Sequence, residues 1–560
     1  MVNPGRAAGP SDPEGMTYGW MVRDSRRSKL VIPAVIALVA FAALLVTESD
    51  IGLTWDEPDY IAASETYVSW LEALLQRPGY ALSDEGIERY WTVNHEHPPV
   101  DKIWSGIVWR AASPVLSDLT AHRLGNMLLS SLCLALVTYL VQEPFGRWAG
   151  LAASLSLFTM PRFFFHSHLA ALDVPAAALT VATATLFWKT RESKGWSADV
   201  LLGVLWGTAV GTKINAVFLL PTLALWVVLF DRRWRSLLRL LVMGGVAVGV
   251  FFVSWPWLYR HTVERTLEYV RFLTVDHWEI GQWYLNRFYM PPPWHFPFVI
   301  TAAVVPAALL ALFFVGAGRV LGRARERKIG GFLVINALTP LVVVAVGQSM
   351  VYDNDRLFMP AMPFIAGLSG VGLETVAGAI RARVAGTRAR RVAIGAVAAA
   401  AFAPQVLAAA SLYPHLLSYY SHLVGGVSGA TKLGLETTYW CETYSEVLDY
   451  LNQNAREGAV VWVAPGSHNV MIYYQLHGRL REDLRFTAHT VGPSILDNGI
   501  VTIAAPFQRA DWVVFQNRQT TFGAEGLDSE LARWLDRRVP GFQVRYGGTP
   551  LIAVYRNAPW

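Results

Sequence analysis

Apolar and polar positions in this chain segregate over tens of residues rather than over single turns. Apolar runs near the length that spans a bilayer recur at 30–46, 124–141, 148–165, 172–188, 201–211, 214–230, 237–257, 298–316, 331–351, 357–379 and 392–412. The pattern predicts about eleven transmembrane helices, with 201–211 the shortest. Two long polar stretches interrupt it, 48–117 and 258–296. The first holds amphipathic segments at 61–75 and 103–109 whose Trp70, Trp104 and Trp109 suit the membrane surface.

After residue 412 the pattern changes. Short apolar runs at 460–464, 501–504, 512–516 and 551–555, with polar turns between them, read as buried strands. Helical stretches at 444–452 and 527–535 complete a small α/β domain. The predicted fold is therefore a polytopic α-helical membrane protein with a C-terminal α/β domain. Its parts are a polar lead at 1–29, a transmembrane body at 30–412 and the domain at 413–560.

Charge orients these parts. Lys189, Arg191 and Lys194 share one short turn, Arg232, Arg233 and Arg235 another, Arg319 to Lys328 a third, and Arg381 to Arg391 a fourth. An eleven-span count puts all four on the side of the N-terminus, as the positive-inside rule requires. The lead is then cytoplasmic, while the loops 48–117 and 258–296 and the domain 413–560 lie outside. The lead is basic before its apolar run, like a signal peptide. That run is long and no small-residue cleavage site follows, so a retained anchor is predicted.

Composition agrees with a membrane protein: 53% of the 560 residues are hydrophobic and 16% charged, with 22 Trp and 21 Tyr. The net charge of +5 sits in the short turns, so no nucleic-acid partner is expected. Cys133 and Cys441 fall in a span and in the tail, which supports neither a disulfide framework nor a CxxC metal site.

The candidate chemistry collects on the outer face. Asp56-Glu57 follows the first span, and Glu96-His97-Pro98-Pro99 with Lys102 closes the first loop. His166-Ser167-His168 leads to Asp173 at the mouth of a span, where an ionisable group is costly without water or a partner. Lys213, Arg260 and Arg356 lie at other span ends. Each has a plainer reading: acids fill the first turn of surface helices, and lone cations at span ends snorkel to headgroups. Carboxylates beside cations on one face suit a phosphate-bearing lipid and a hydroxyl acceptor better. His166 and His168 are the candidates for a divalent metal, although their spacing is equally that of interfacial packing.

Asp56-Glu57 with Tyr60, Glu96-His97-Pro98-Pro99, Leu172-Asp173-Val174-Pro175 and the entry 413–420 with Gly425-Gly426 resemble the GT-C superfamily. Within it they resemble the glycosyltransferase family 39 relatives, protein O-mannosyltransferases and bacterial aminoarabinose transferases. Ser421 and Trp440-Cys441 depart from the Asn and Trp-Gly frequent in such proteins. The resemblance implies an enzyme of the bacterial plasma membrane that moves a sugar from a polyprenyl-phosphate donor to an acceptor hydroxyl on the outer face, with inversion. The acceptor, whether protein, lipid or glycan, stays open. On this reading Asp56 is the general base, Glu57 positions it, and Glu96, His97 and Asp173 shape the pocket. Lys213, with Lys102, Arg260 and Arg356, neutralises the departing phosphate. The alternative is a transporter or flippase for a lipid-linked or anionic substrate, whose carboxylates would lie at the membrane midplane.

Overall fold

The computed structural model describes residues 28–276, 280–347, 351–489, 503–524 and 530–557; most of the N-terminal lead lies outside them. Every apolar run begins or ends in helix. Among the described residues seven helices are long and apolar enough to cross a membrane, or eight if one bent pair counts as a crossing. The runs at 148–165, 172–188 and 201–211 are also helical, as Arg147–Phe158, Asp173–Thr190 and Trp196–Thr212, but are shorter or less apolar.

Proline explains two of the breaks. The run 298–316 is the bent pair, Phe296–Val304 and Ala307–Gly322 at 116°. Val305 between them is extended before Pro306, as the proline ring demands of the residue preceding it. The run 148–165 stops at Phe158 and restarts at Pro161, the first residue of a short helix ending at His166. Elsewhere small residues set the packing. A Cβ on Gly316 would stand 2.0 Å from the Leu368 carbonyl oxygen, and one on Gly372 would stand 1.9 Å from that of Leu312. Helices Ala307–Gly322 and Met362–Arg383 thus meet backbone to backbone.

The basic turns gather at one end of the bundle. Arg233 donates to the Arg191 carbonyl, Arg235 and Arg239 pair with Asp199, and the Trp226 indole donates to the Lys328 carbonyl. Helix Asp173–Thr190 runs from the opposite end to this one, about 25 Å at 1.5 Å per residue.

The first long loop folds into helices Glu57–Gln76, Asp84–Trp91 and Val100–Ala112. Tyr67, Trp70 and Trp91 bury their rings against one another and pack with Trp255 and Trp257 from the end of a span. Trp70 of the first amphipathic segment therefore covers apolar side chains of this chain, while Trp104 and Ile107 of the second stay exposed.

The C-terminal domain is a six-stranded sheet in the order Ile503–Ala504, Arg485–Ala488, Val460–Ala464, Trp512–Gln516, Thr549–Arg556, Phe542–Tyr546. The first four strands are parallel, Thr549–Arg556 is antiparallel to them, and Phe542–Tyr546 is antiparallel to Thr549–Arg556. Continuous burial of Val460–Ala464 and Trp512–Gln516 is why these strands are visible as apolar runs. The edge strand Phe542–Tyr546 alternates between exposed and half-buried positions and shows no such run. Of the predicted strand 501–504, only the last two residues are among those described.

Candidate active site

Arg356 is the hub of a charged cluster at the end of the bundle away from the basic turns. It opens the 3-10 turn Arg356–Ala361 that leads into a long helix, and it is buried. Its guanidinium donates to Asp56 at 2.7 Å, to Asp353 at 2.6 Å and to Asp173 at 3.4 Å. Its free face lies 3.7 Å from the centre of the Trp440 ring, a cation–π contact. Asp173 also accepts a hydrogen bond from the Lys213 ammonium at 2.5 Å. Lys213 reaches it because the backbone is extended there, between the helix ending at Thr212 and the turn starting at Ile214. Arg518 from the C-terminal domain meets the other oxygen of Asp353 at 2.9 Å. Three carboxylates thus face three cations, and no charge in the group is left without a counter-ion.

Exposure separates the carboxylates. The Asp56 side chain is 26% exposed, against 1% for Asp173 and 7% for Asp353. Tyr60, one turn on, directs its hydroxyl at Asp56 from 3.4 Å. Asp59 is a carboxylate that reading the sequence missed. Burial, then the charges of Asp56 and Glu96, raise its pKa to about 7, against the opposing hydrogen bond from Asn469 of the C-terminal domain at 2.9 Å.

Glu57 does not face this cavity. It is fully buried, and Arg123 grips both its oxygens at 2.8 Å. The amides of Thr54 and Ala170 and the Thr54 hydroxyl fill the remaining lone pairs. Glu57 therefore ties the first loop to the segment before Asp173 and does not line the Arg356 cluster. Lys102 is likewise engaged within the first loop. All three of its protons are donated, to the Asn94 carbonyl and side chain and to the His97 carbonyl, so it holds the 94–99 turn. Burial draws its pKa down to about 7. Arg260 stands apart on the exposed surface of the first loop, paired with Asp84 and the Leu82 carbonyl, and has no part in the cluster.

Glu96 accepts from the Asn94 amide at 2.9 Å, and His97 packs its ring edge-on to Tyr60 at 5.8 Å. Burial, with the charges of Lys102, Lys213 and Arg356 adding to it, lowers the His97 pKa to about 3, so the imidazole is neutral. The two metal candidates point to different partners. His166 meets the Tyr439 hydroxyl at 3.2 Å, while His168 meets the Thr47 hydroxyl at 2.8 Å and the Phe164 carbonyl at 2.9 Å. Among the described residues neither joins a group of potential metal ligands.

An apolar cavity of about 330 Å³ opens beside the cluster. Ile214 and Leu357, the residues after Lys213 and Arg356, line it, together with Phe218, Leu273, Val343 and Phe364. The tail closes the other side: the Trp55 amide donates to the Trp440 carbonyl at 2.8 Å, and the Arg518 guanidinium lies over the Trp55 ring. Cys441, beside Trp440, adopts φ 63°, the left-handed conformation that glycine takes without cost.

Residues 109–259 match the family model described as dolichyl-phosphate-mannose-protein mannosyltransferase. No curated protein matches the chain in sequence. Among solved structures the chain is similar to ArnT from Cupriavidus metallidurans in the apo state, with 16% identity over 95% of this chain and 99% of that one and a TM-score of 0.50. It is likewise similar to ArnT bound to undecaprenyl phosphate, with 15% identity over 95% and 98% and a TM-score of 0.50. The chain therefore shares the fold of ArnT.

Proposed function

We propose that this chain is a GT-C membrane glycosyltransferase that takes its sugar from a polyprenyl-phosphate donor and passes it to an acceptor hydroxyl on the outer face of the membrane. The observation that carries the reading is the junction of Lys213 and Arg356 with the apolar cavity that begins one residue beyond each. A lipid phosphate has this division, an anionic head on a hydrocarbon chain. Asp56, Asp173 and Asp353 hold the cations in place until the phosphate arrives and competes for them. The similarity to ArnT, which has been solved with undecaprenyl phosphate, supports the same donor class.

In the proposed step the acceptor oxygen attacks the anomeric carbon and the bond from that carbon to the phosphate oxygen breaks. The electron pair leaves with the polyprenyl phosphate, where Lys213 and Arg356 stabilise the charge that develops. The acceptor proton goes to Asp56, the carboxylate of the cluster with a face to water. Asp173 is enclosed by its two cations and serves to hold them. A single displacement of this kind inverts the anomeric centre. Sidedness is supported by the basic turns, which gather at the far end of the bundle from the cluster.

The test is donor choice. Purified protein is incubated with a cell-envelope fraction and sugar radiolabelled either on polyprenyl phosphate or on a nucleoside diphosphate. Label is expected in the envelope fraction from the lipid donor alone. Transfer from the nucleotide donor alone would overturn the reading.

A further inference from the structure

On the outer surface of the first loop, away from the Arg356 cluster, two histidines and two carboxylates converge from three parts of the chain. Glu65 comes from helix Glu57–Gln76, Asp118 and His122 from helix Asp118–Phe145, and His477 from the end of helix His468–Leu476 in the C-terminal domain. One ligating atom each from Glu65, Asp118 and His122 lies within 4.8 Å of the others. The His122 Nε2 is 3.3 Å from Glu65 and 3.9 Å from Asp118, and the His477 Nε2 is 3.1 Å from the second oxygen of Asp118.

The hydrogen bonds on the far side of each ring decide what these nitrogens carry. The Ser64 hydroxyl gives its proton to the Ile61 carbonyl at 2.7 Å, so its contact of 3.2 Å with the His122 Nδ1 requires that nitrogen to donate. The His477 Nδ1 faces the Tyr473 carbonyl at 2.8 Å, which only accepts. In the neutral form of either ring the proton is therefore on Nδ1. Both Nε2 lone pairs then point at carboxylate oxygens, which repel them. Two arrangements remove the conflict: a second proton on each ring, one of them on the fully buried His122, or a cation between Glu65, Asp118 and His122 with the second proton on His477 alone.

We propose that Glu65, Asp118 and His122 bind a divalent ion of the zinc class, with His477 holding the second oxygen of Asp118 beside them. An imidazole among the ligands favours such a metal over magnesium or calcium, which take oxygen ligands. Ligand bonds of about 2.0–2.2 Å in a tetrahedron put ligand atoms about 3.3–3.6 Å apart, against 3.3 and 3.9 Å from the His122 Nε2 to Glu65 and Asp118. The surrounding groups match the outer partners that orient metal ligands. Trp109 and Tyr473 donate to Asp118 at 2.9 and 2.8 Å. Their rings also stack on the two imidazoles, Trp109 on His122 and Tyr473 on His477. Glu65 and His477 are 43% and 36% exposed, which leaves an entry path for the ion. Through the Asp118 that His477 holds, the metal would tie the C-terminal domain, which carries Trp440, to the first loop, which carries Asp56.

The experiment uses full-length, untagged protein with Zn²⁺ alone as the probe. Metal content after dialysis is expected at one ion per chain, added Zn²⁺ should raise the melting temperature of stripped protein, and Co²⁺ should give a visible ligand-field band. Glu65→Gln and His477→Gln change half-exposed groups and should fold. Each is expected to weaken Zn²⁺ binding at least about 10-fold while the metal-free melting temperature stays near that of the wild type. Wild-type protein without stoichiometric metal, cobalt band or thermal shift would overturn the proposal in favour of paired imidazoliums. Unchanged zinc affinity in both variants would overturn it too.

Discussion

Asp56 and Glu57 are adjacent in sequence and opposite in use. Side chains of consecutive helical residues point about 100° apart, so one faces Arg356 and water while the other is enclosed by Arg123. Their amide variants should separate these roles. Breaking a buried ion pair by removing one partner typically costs about 3–5 kcal/mol. Glu57→Gln should therefore lower the melting temperature clearly, and Asp56→Asn should leave it near the wild type. Equal melting temperatures for Glu57→Gln and the wild type would refute the positioning role.

Asp59 gives a second prediction at this scale. Its pKa is raised to about 7 in the folded chain, above the ordinary carboxylate value near 4. Folding therefore favours the protonated form, and the associated stability is complete below about pH 4 and lost as pH rises through 7. Asp59→Asn lacks this loss. The melting temperature of the variant relative to wild type should climb between about pH 4 and 7 and then level off. A difference that does not vary with pH would show that Asp59 titrates normally.

Elements were easier to read from sequence than the contacts between them. A helix in lipid must satisfy its own backbone and present apolar side chains, so each span leaves a local trace. Ionisable groups at the ends of apolar runs leave one too, and Asp56, Asp173, Lys213 and Arg356 were all legible for that reason. Arg260 carried the same trace, and the structure leaves it on the surface with Asp84. Lys102 was legible as a cation, but only the fold shows its protons spent on the 94–99 turn. Trp440 and Arg518 left no local signal as site residues, because they meet Arg356 and Asp353 only where the C-terminal domain docks, whereas Asp353 pairs with Arg356 three residues on. Trp440→Ala tests that docking. It removes a cation–π contact of about 0.5–2 kcal/mol from Arg356, and should weaken turnover by up to about 30-fold while the sheet domain stays folded. Wild-type turnover in Trp440→Ala would mean that the tail does not shape the site.

At the scale of the molecule, charge sits at both ends of the bundle and serves differently at each. Basic turns crowd one end. At the other, carboxylates and cations balance beside an apolar cavity and under a domain that supplies Trp440 and Arg518. That arrangement is at the ends of helices rather than at their middles, as a surface reaction on a lipid-held substrate requires and a midplane transport site does not. If the basic end is cytoplasmic, a reporter fused after the last residue of the C-terminal domain should be active only where export is needed for its activity. A reporter active only in the cytoplasm would reverse the orientation.

The central claim is that Asp56 accepts the proton of the acceptor hydroxyl while Lys213 and Arg356 hold the lipid phosphate. The direct measurement is the rate of sugar transfer from radiolabelled polyprenyl-phosphate donor by Asp56→Asn, alongside its affinity for that donor. Loss of a general base costs about 10²–10⁴-fold in rate. The account predicts a fall of that size, with donor affinity and melting temperature close to wild type. Near-normal transfer by folded Asp56→Asn would contradict it.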